Sequence, residues 1–317
     1  MKRLIIVSSL IFLSGLSHQA WAEKRGEDLS EEDIKKSVAR ILKAFRNQPT
    51  QPITEGKVNV GEISTEENEF YITYRPSLGM EVLACIDKSL YPFSNTSLKI
   101  EGHGHKGLTK LFSSKDVDTT IIGPFMKQMK KTQIPSEEMT IIIDGMSMGT
   151  HRAMEAAIYL KQHDDTKTYT PIVLRYGDSK TFDEIAAHSI YNFLPKENII
   201  SFHAREDVIT EFLDIERGAS LGTRIEFSAA DDSPTYKDRV DHQAYTHMMP
   251  NLKNIISWRT DPVMQTIANA TLPLFGITPA VMNFLEPAIW ERHQPLTYAE
   301  CCPKAFKRFR GTEEKNQ

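Results

Sequence analysis

Ile34, Val38, Ile41, Leu42 and Phe45 recur at helical spacing through a charged stretch, so residues 31–46 are predicted to form an amphipathic helix. Ser30-Glu31-Glu32-Asp33 has the form of a capping box at its start. Phe70–Tyr74 reads as a strand that Pro76 stops, and Ser97–Glu101 as another. Residues 117–131 are predicted to be a helix with Ile121, Phe125 and Met129 on one face. The β-branched run Thr140–Ile143 then reads as a short buried strand, followed past Gly149 by a helix with Met154, Ala157 and Ile158 on one side. Strand 171–176, helix 181–193 and strand 198–203 follow in the same alternation. Strands and helices that alternate over short connections call for an α/β fold with a mostly parallel central sheet and helices on both faces. Between these elements the pattern is weaker. Residues 47–56 read as a linker, residues 57–69 as a loop with at most one weak strand, and 227–239 as a polar loop. Residues 78–98 are too apolar for a plain solvated loop. Residues 264–290 are apolar but broken by Pro273, Pro279 and Pro287, which predicts short helices.

The ends of the chain depart from this pattern. Lys2 and Arg3, an apolar run from Leu4 to Leu16 and Ala20-Trp21-Ala22 form a secretory signal peptide over residues 1–22, so the protein is expected to be exported, to a periplasm or beyond. That run of about thirteen residues is short of the roughly twenty that span a bilayer. One domain with an N-terminal helical extension is expected over 23–300. Residues 301–317, with the basic run Lys304–Arg310, are expected to form a flexible tail, solvated or touching anionic lipid headgroups. With 40% hydrophobic and 25% charged residues the chain belongs with soluble globular proteins, and its formal net charge of -4 gives no reason to expect a nucleic-acid partner. Cys85, Cys301 and Cys302 are too few for a disulfide scaffold; a single bridge from Cys85 to the tail, or a strained one between the vicinal pair, is the most they allow. His103-Gly104-His105 lacks further ligands at metal-binding spacing, so no metal and no organic cofactor are expected.

The chemistry centres on Gly145-Met146-Ser147-Met148-Gly149 between a strand and a helix. Glycines on either side of the serine suit a turn so sharp that a Cβ would clash, and the helix start directs N–H groups toward an anion formed at the hydroxyl. A serine needs a base to take its proton and an acid to orient the base. In the order serine, acid, histidine, Asp207 follows a predicted strand and His242 lies in a long loop beyond it. Asp178, Asp214 and Glu206 compete as acids, and His203, His188 and His247 as bases.

Several segments, in order, resemble the class 3 (fungal-type) lipases, a branch of the α/β-hydrolases, over about Phe70–Leu252. They are Tyr74-Arg75-Pro76-Ser77, Gly104-His105-Lys106-Gly107-Leu108, the Ser147 elbow, Arg175-Tyr176-Gly177, Glu206-Asp207-Val208 and Asp241-His242-Gln243-Ala244-Tyr245. The resemblance implies an α/β-hydrolase fold and a serine hydrolase that cleaves carboxylic esters of lipids. Carboxylesterase or acyltransferase action on smaller esters, or a non-catalytic binding protein on the same fold, are the alternatives. It implies Ser147 as nucleophile, Asp207 as acid, His242 as base, and Met148 and Ser77 as oxyanion donors. It also implies a lid over 78–95 and a lipid or acyl-ester substrate, with peripheral contact to a lipid surface. Pro76 stands where the family has glycine, and His151, just past the elbow, is placed to crowd or modulate the pocket.

Overall fold

A computed structural model describes residues 25–46, 61–66, 69–74, 88–111, 122–131, 140–163, 170–205, 207, 210, 214–240 and 291–316. The predicted signal peptide, Cys85, the predicted lid and the short helices expected over 264–290 lie outside these residues. The main sheet runs in the order β1 (Gly61–Glu66), β2 (Glu69–Tyr74), β5 (Thr140–Met146), β6 (Ile172–Tyr176), β8 (Ile199–Ala204), β10 (Thr223–Phe227). β1 pairs antiparallel with β2, and every other neighbouring pair is parallel. A small antiparallel sheet joins β3 (Leu90–Pro92), β4 (His103–His105), β7 (Phe182–Asp183) and β9 (Gly218–Ala219).

Side chains alternate across the main sheet and make two cores. Ile72, Ile141, Ile143, Val173 and Ile199 face one way and pack with helix α4 (Met148–His163), helix α5 (Glu184–Tyr191) and Phe125 of helix α3 (Gly123–Lys131). Helix α2 (Lys106–Leu111) adds Leu108, which is fully buried. Tyr71, Ile142, Met146, Leu174, Phe202 and Ile225 face the other way, toward α1 (Glu31–Arg46) and α7 (Pro295–Asn316). α1 begins as its sequence predicts: Asp33 N–H donates to Ser30 Oγ at 3.2 Å, and Ser30 N–H donates to Asp33 Oδ2 at 2.7 Å.

Elsewhere the sequence pattern was a poorer guide. The polar stretch 57–69 contributes β1, the one strand it allowed, and β10, for which no element was predicted, ends at Phe227 where the expected polar loop begins. β10 alternates because it edges the sheet, burying Ile225 and Phe227 while exposing Arg224 and Glu226. α6 (Ala229–Asp232) follows it, capped by Ser228. Residues 97–101 form no strand, since strand pairing starts at His103. The expected tail is corrected most: residues 301–316 are helical within α7, with Cys301, Cys302, Ala305 and Phe306 buried. Pro303 and the basic run argued against a helix. Tertiary burial decides instead, at about 1.5–3 kcal/mol for a side chain such as Phe306. Cys301 and Cys302 are free thiols, and burial pushes the Cys301 thiol up to about 12.

Candidate active site

β5 ends at Met146 and α4 starts at Met148, so Ser147 alone makes the turn between strand and helix. Its φ of 54° is one that residues with a Cβ rarely adopt, and it turns the side chain out of the sheet. The turn is held by Ser147 N–H donating to the Tyr176 carbonyl at 2.9 Å and by Thr150, whose Oγ1 donates to Ser147 O at 2.6 Å. Gly145 is obligatory here, because a Cβ would sit 2.3 Å from the Gly149 carbonyl oxygen.

Asp207 follows the carboxyl end of β8, its N–H donating to Ala204 O at 3.2 Å. His293 precedes α7 and joins acid to serine: its Nδ1 lies 2.9 Å from Asp207 Oδ2 and its Nε2 2.8 Å from Ser147 Oγ. In the tautomer that suits both contacts, Nδ1–H donates to the carboxylate and Nε2 accepts from the hydroxyl. Tyr298 also donates to Asp207 Oδ2, at 2.9 Å, and Thr210 N–H donates to Oδ1 at 3.4 Å. Burial alone would push the Asp207 carboxyl up; hydrogen bonds from His293, Tyr298 and Thr210, with the attraction of His293, outweigh it and hold the carboxyl below its usual range. Gly177, at φ +65°, keeps space for this group, since a Cβ there would lie 3.1 Å from the Tyr298 hydroxyl and 3.2 Å from His293 Cε1. The Ser147 residue is 8% exposed and the His293 side chain 11%, so the set is shielded without being sealed.

His293 makes both hydrogen bonds that a triad histidine makes, and His242, the base expected from sequence, lies outside the described residues. Ser77, Pro76, Glu206 and His247 also lie outside them. His293 was hidden because His242 carried the family-like His-x-x-Tyr spacing. A signal for it was present: Glu291-Arg292-His293-Gln294-Pro295 is a polar break after an apolar stretch, and the proline opens a helix.

The other candidates serve elsewhere. Asp178 pairs with buried Arg175, Asp214 accepts from Lys180 N–H at 2.6 Å, and His203 lies 3.4 Å from the Thr210 hydroxyl. His188 is on the exposed side of α5. His103 meets Asp183 at 2.9 Å. His151 does not crowd the pocket. It is a fully buried residue of α4, stacked on Phe182 at 4.5 Å, with Nδ1 2.9 Å from Thr181 Oγ1 and Nε2 3.2 Å from both Thr109 Oγ1 and Glu155 Oε1. Burial, reinforced by Arg175 and Arg152, pushes its pKa down to about 3, and burial pushes the Glu155 carboxyl well above its usual range. Among the described residues, no group of three or more His, Cys, Asp or Glu side chains is placed to hold a metal ion, and no helix is long and apolar enough to cross a membrane.

The family model described as lipase (class 3) matches residues 71–216. No curated protein matches the chain in sequence. Among solved structures, the triacylglyceride lipase of Rhizomucor miehei is 16% identical with a TM-score of 0.40, covering 52% of this chain and 60% of its own. The lipase of Rhizopus microsporus var. chinensis is 14% identical with a TM-score of 0.42, covering 53% of this chain and 56% of its own. The Lip2 lipase of Yarrowia lipolytica is 12% identical with a TM-score of 0.45, covering 65% and 80%. The chain therefore spans less than two thirds of the length of the first two. The segment that matches the class 3 lipase model, residues 71–216, carries the Ser147 elbow and Asp207 on the mostly parallel main sheet.

Proposed function

We propose that the protein is an exported hydrolase that cleaves carboxylic esters of lipids through an acyl-enzyme on Ser147, with His293 as general base and Asp207 as the acid that orients it. The observation that carries this reading is the unbroken relay from Ser147 Oγ to His293 Nε2 at 2.8 Å and from His293 Nδ1 to Asp207 Oδ2 at 2.9 Å. His293 takes the serine proton as Oγ attacks the ester carbonyl, and gives it to the departing alkoxide as the tetrahedral intermediate collapses. Water then enters by the same route, with His293 as base, and releases the fatty acid. Asp207 stays ionised and stabilises the imidazolium formed in each half-reaction. The Ser147 N–H is spent on the Tyr176 carbonyl. The oxyanion is assigned to the Met148 N–H at the first position of α4 and to Ser77. Donors of this kind each contribute about 3–4 kcal/mol to the transition state. The export assignment is supported by Lys2, Arg3, the apolar run that follows and the Ala20-Trp21-Ala22 site.

Labelling the purified chain with a fluorophosphonate, followed by peptide mass spectrometry, tests the reading. One adduct on Ser147 is expected, together with turnover of p-nitrophenyl esters of graded acyl length that Ser147→Ala abolishes. No adduct where a control lipase labels sinks the catalytic reading in favour of a binding protein. Turnover confined to short acyl chains replaces lipid by small esters.

A further inference from the structure

His293 lies in the turn Glu291–Gln294. Arg239, distant in sequence, grips the turn. Its Nε donates to Glu291 Oε1, its Nη1 to Glu300 Oε1 at 2.8 Å and to Thr235 Oγ1, and its Nη2 to Thr297 Oγ1 at 3.0 Å and Ser233 Oγ at 3.3 Å. All five guanidinium N–H donors are matched, which fixes the plane of the fork. The grip continues to the histidine's backbone. Thr297 Oγ1 donates to Glu291 O at 2.6 Å, Gln294 N–H to the same carbonyl at 3.2 Å, and Thr297 N–H to Gln294 O at 3.0 Å. The Glu291 side chain is 1% exposed, and a carboxylate buried to that degree is costly without a cation on it. We infer that Arg239 is the positioning residue of the general base: through Glu291 and Thr297 it locks the turn that holds His293 against Ser147. Arg239 touches neither Ser147, Asp207 nor His293 among its hydrogen bonds, so it acts through the turn alone.

The inference rests on His293 being the base, and its test separates the two claims. Wild type, Arg239→Met, Arg239→Lys and Thr297→Val are titrated to completion with a fluorophosphonate, and ester turnover is expressed per labelled Ser147. Displacing a base by about 1 Å costs on the order of 100-fold. Arg239→Met is expected to lower kcat per labelled site by about 10- to 100-fold with KM within about threefold. Arg239→Lys, with three donors in place of five, recovers part of the loss, and Thr297→Val gives a smaller loss of the same kind. Per-site kcat equal to wild type in Arg239→Met and Thr297→Val overturns the inference, however few sites are labelled, because it marks a purely structural role. A rise in KM with unchanged kcat overturns it too. Wild type that takes no label overturns the hydrolase reading and this inference with it. A labelled wild type beside unaffected variants overturns the inference alone. If Arg239→Met does not fold, Arg239→Lys and Thr297→Val decide by the same criterion.

Discussion

Two histidines lie against carboxylates on opposite sides of the elbow, and they have opposite characters. His293 meets Asp207, whose carboxyl also accepts from Tyr298 and the Thr210 backbone and is held low. His151 meets Glu155, whose carboxyl burial drives well above its usual range, while its own ring is driven down to about 3. The first pair therefore has a charged acid ready to stabilise an imidazolium; in the second, burial disfavours charge on both partners. A histidine near a carboxylate is no sign of acid–base chemistry in itself. What the carboxylate accepts from its other neighbours decides whether the histidine can hold a proton on demand.

The largest test of that contrast is to delete each ring. His293→Gln is expected to lower kcat by at least about 10³-fold, whereas His151→Gln leaves kcat within a few-fold and lowers Tm instead. His242→Gln joins the series as the base expected from sequence. A loss at His242 with none at His293 would break the assignment.

Next in size is Tyr298→Phe, expected to cost about 10-fold in kcat, since it removes one hydrogen bond to a charged group. It also moves the acid limit. A carboxyl held low in the folded state contributes stability that is present above its unfolded pKa of about 3.9 and lost as pH falls through the lower native value. Removing the Tyr298 donor raises that native value, so acid unfolding and the acid limb of the rate profile should both shift to higher pH. An unshifted limb would mean that Tyr298 only packs.

The smallest effect is at the second pair. A carboxyl raised by burial costs stability as pH climbs above its unfolded pKa of about 4.3. Glu155→Gln, which can still donate to His151, should raise Tm by on the order of 2–4 °C at pH 7 to 8. Near pH 4 it should change nothing. An equal gain at both pH values would mean that burial does not raise the Glu155 carboxyl.

The contrast also explains what the sequence let us read. Ser147 was legible because its strand, glycines and helix are local and mutually consistent, and Asp207 because it follows the end of a strand. His293 was not, since its place is set by contacts that reach 146 residues to Ser147 and 86 to Asp207. The same holds for α7. Its local signals, Pro303 and a basic run, oppose a buried helix, yet Tyr298, Cys302 and Phe306 fill the face of the sheet that α1 leaves open. β10 carried no predicted element for the complementary reason that an edge strand exposes half its residues and shows only a short alternation.

The position of Tyr298 on α7 has a consequence in time. A ribosome delivers Ser147 and Asp207 long before the histidine turn and the helix that supports the acid, so the growing chain carries an idle hydroxyl until that turn and helix have been made and seated. The relay would be lost again to any cut that unseats α7, even while the sheet beneath stays whole.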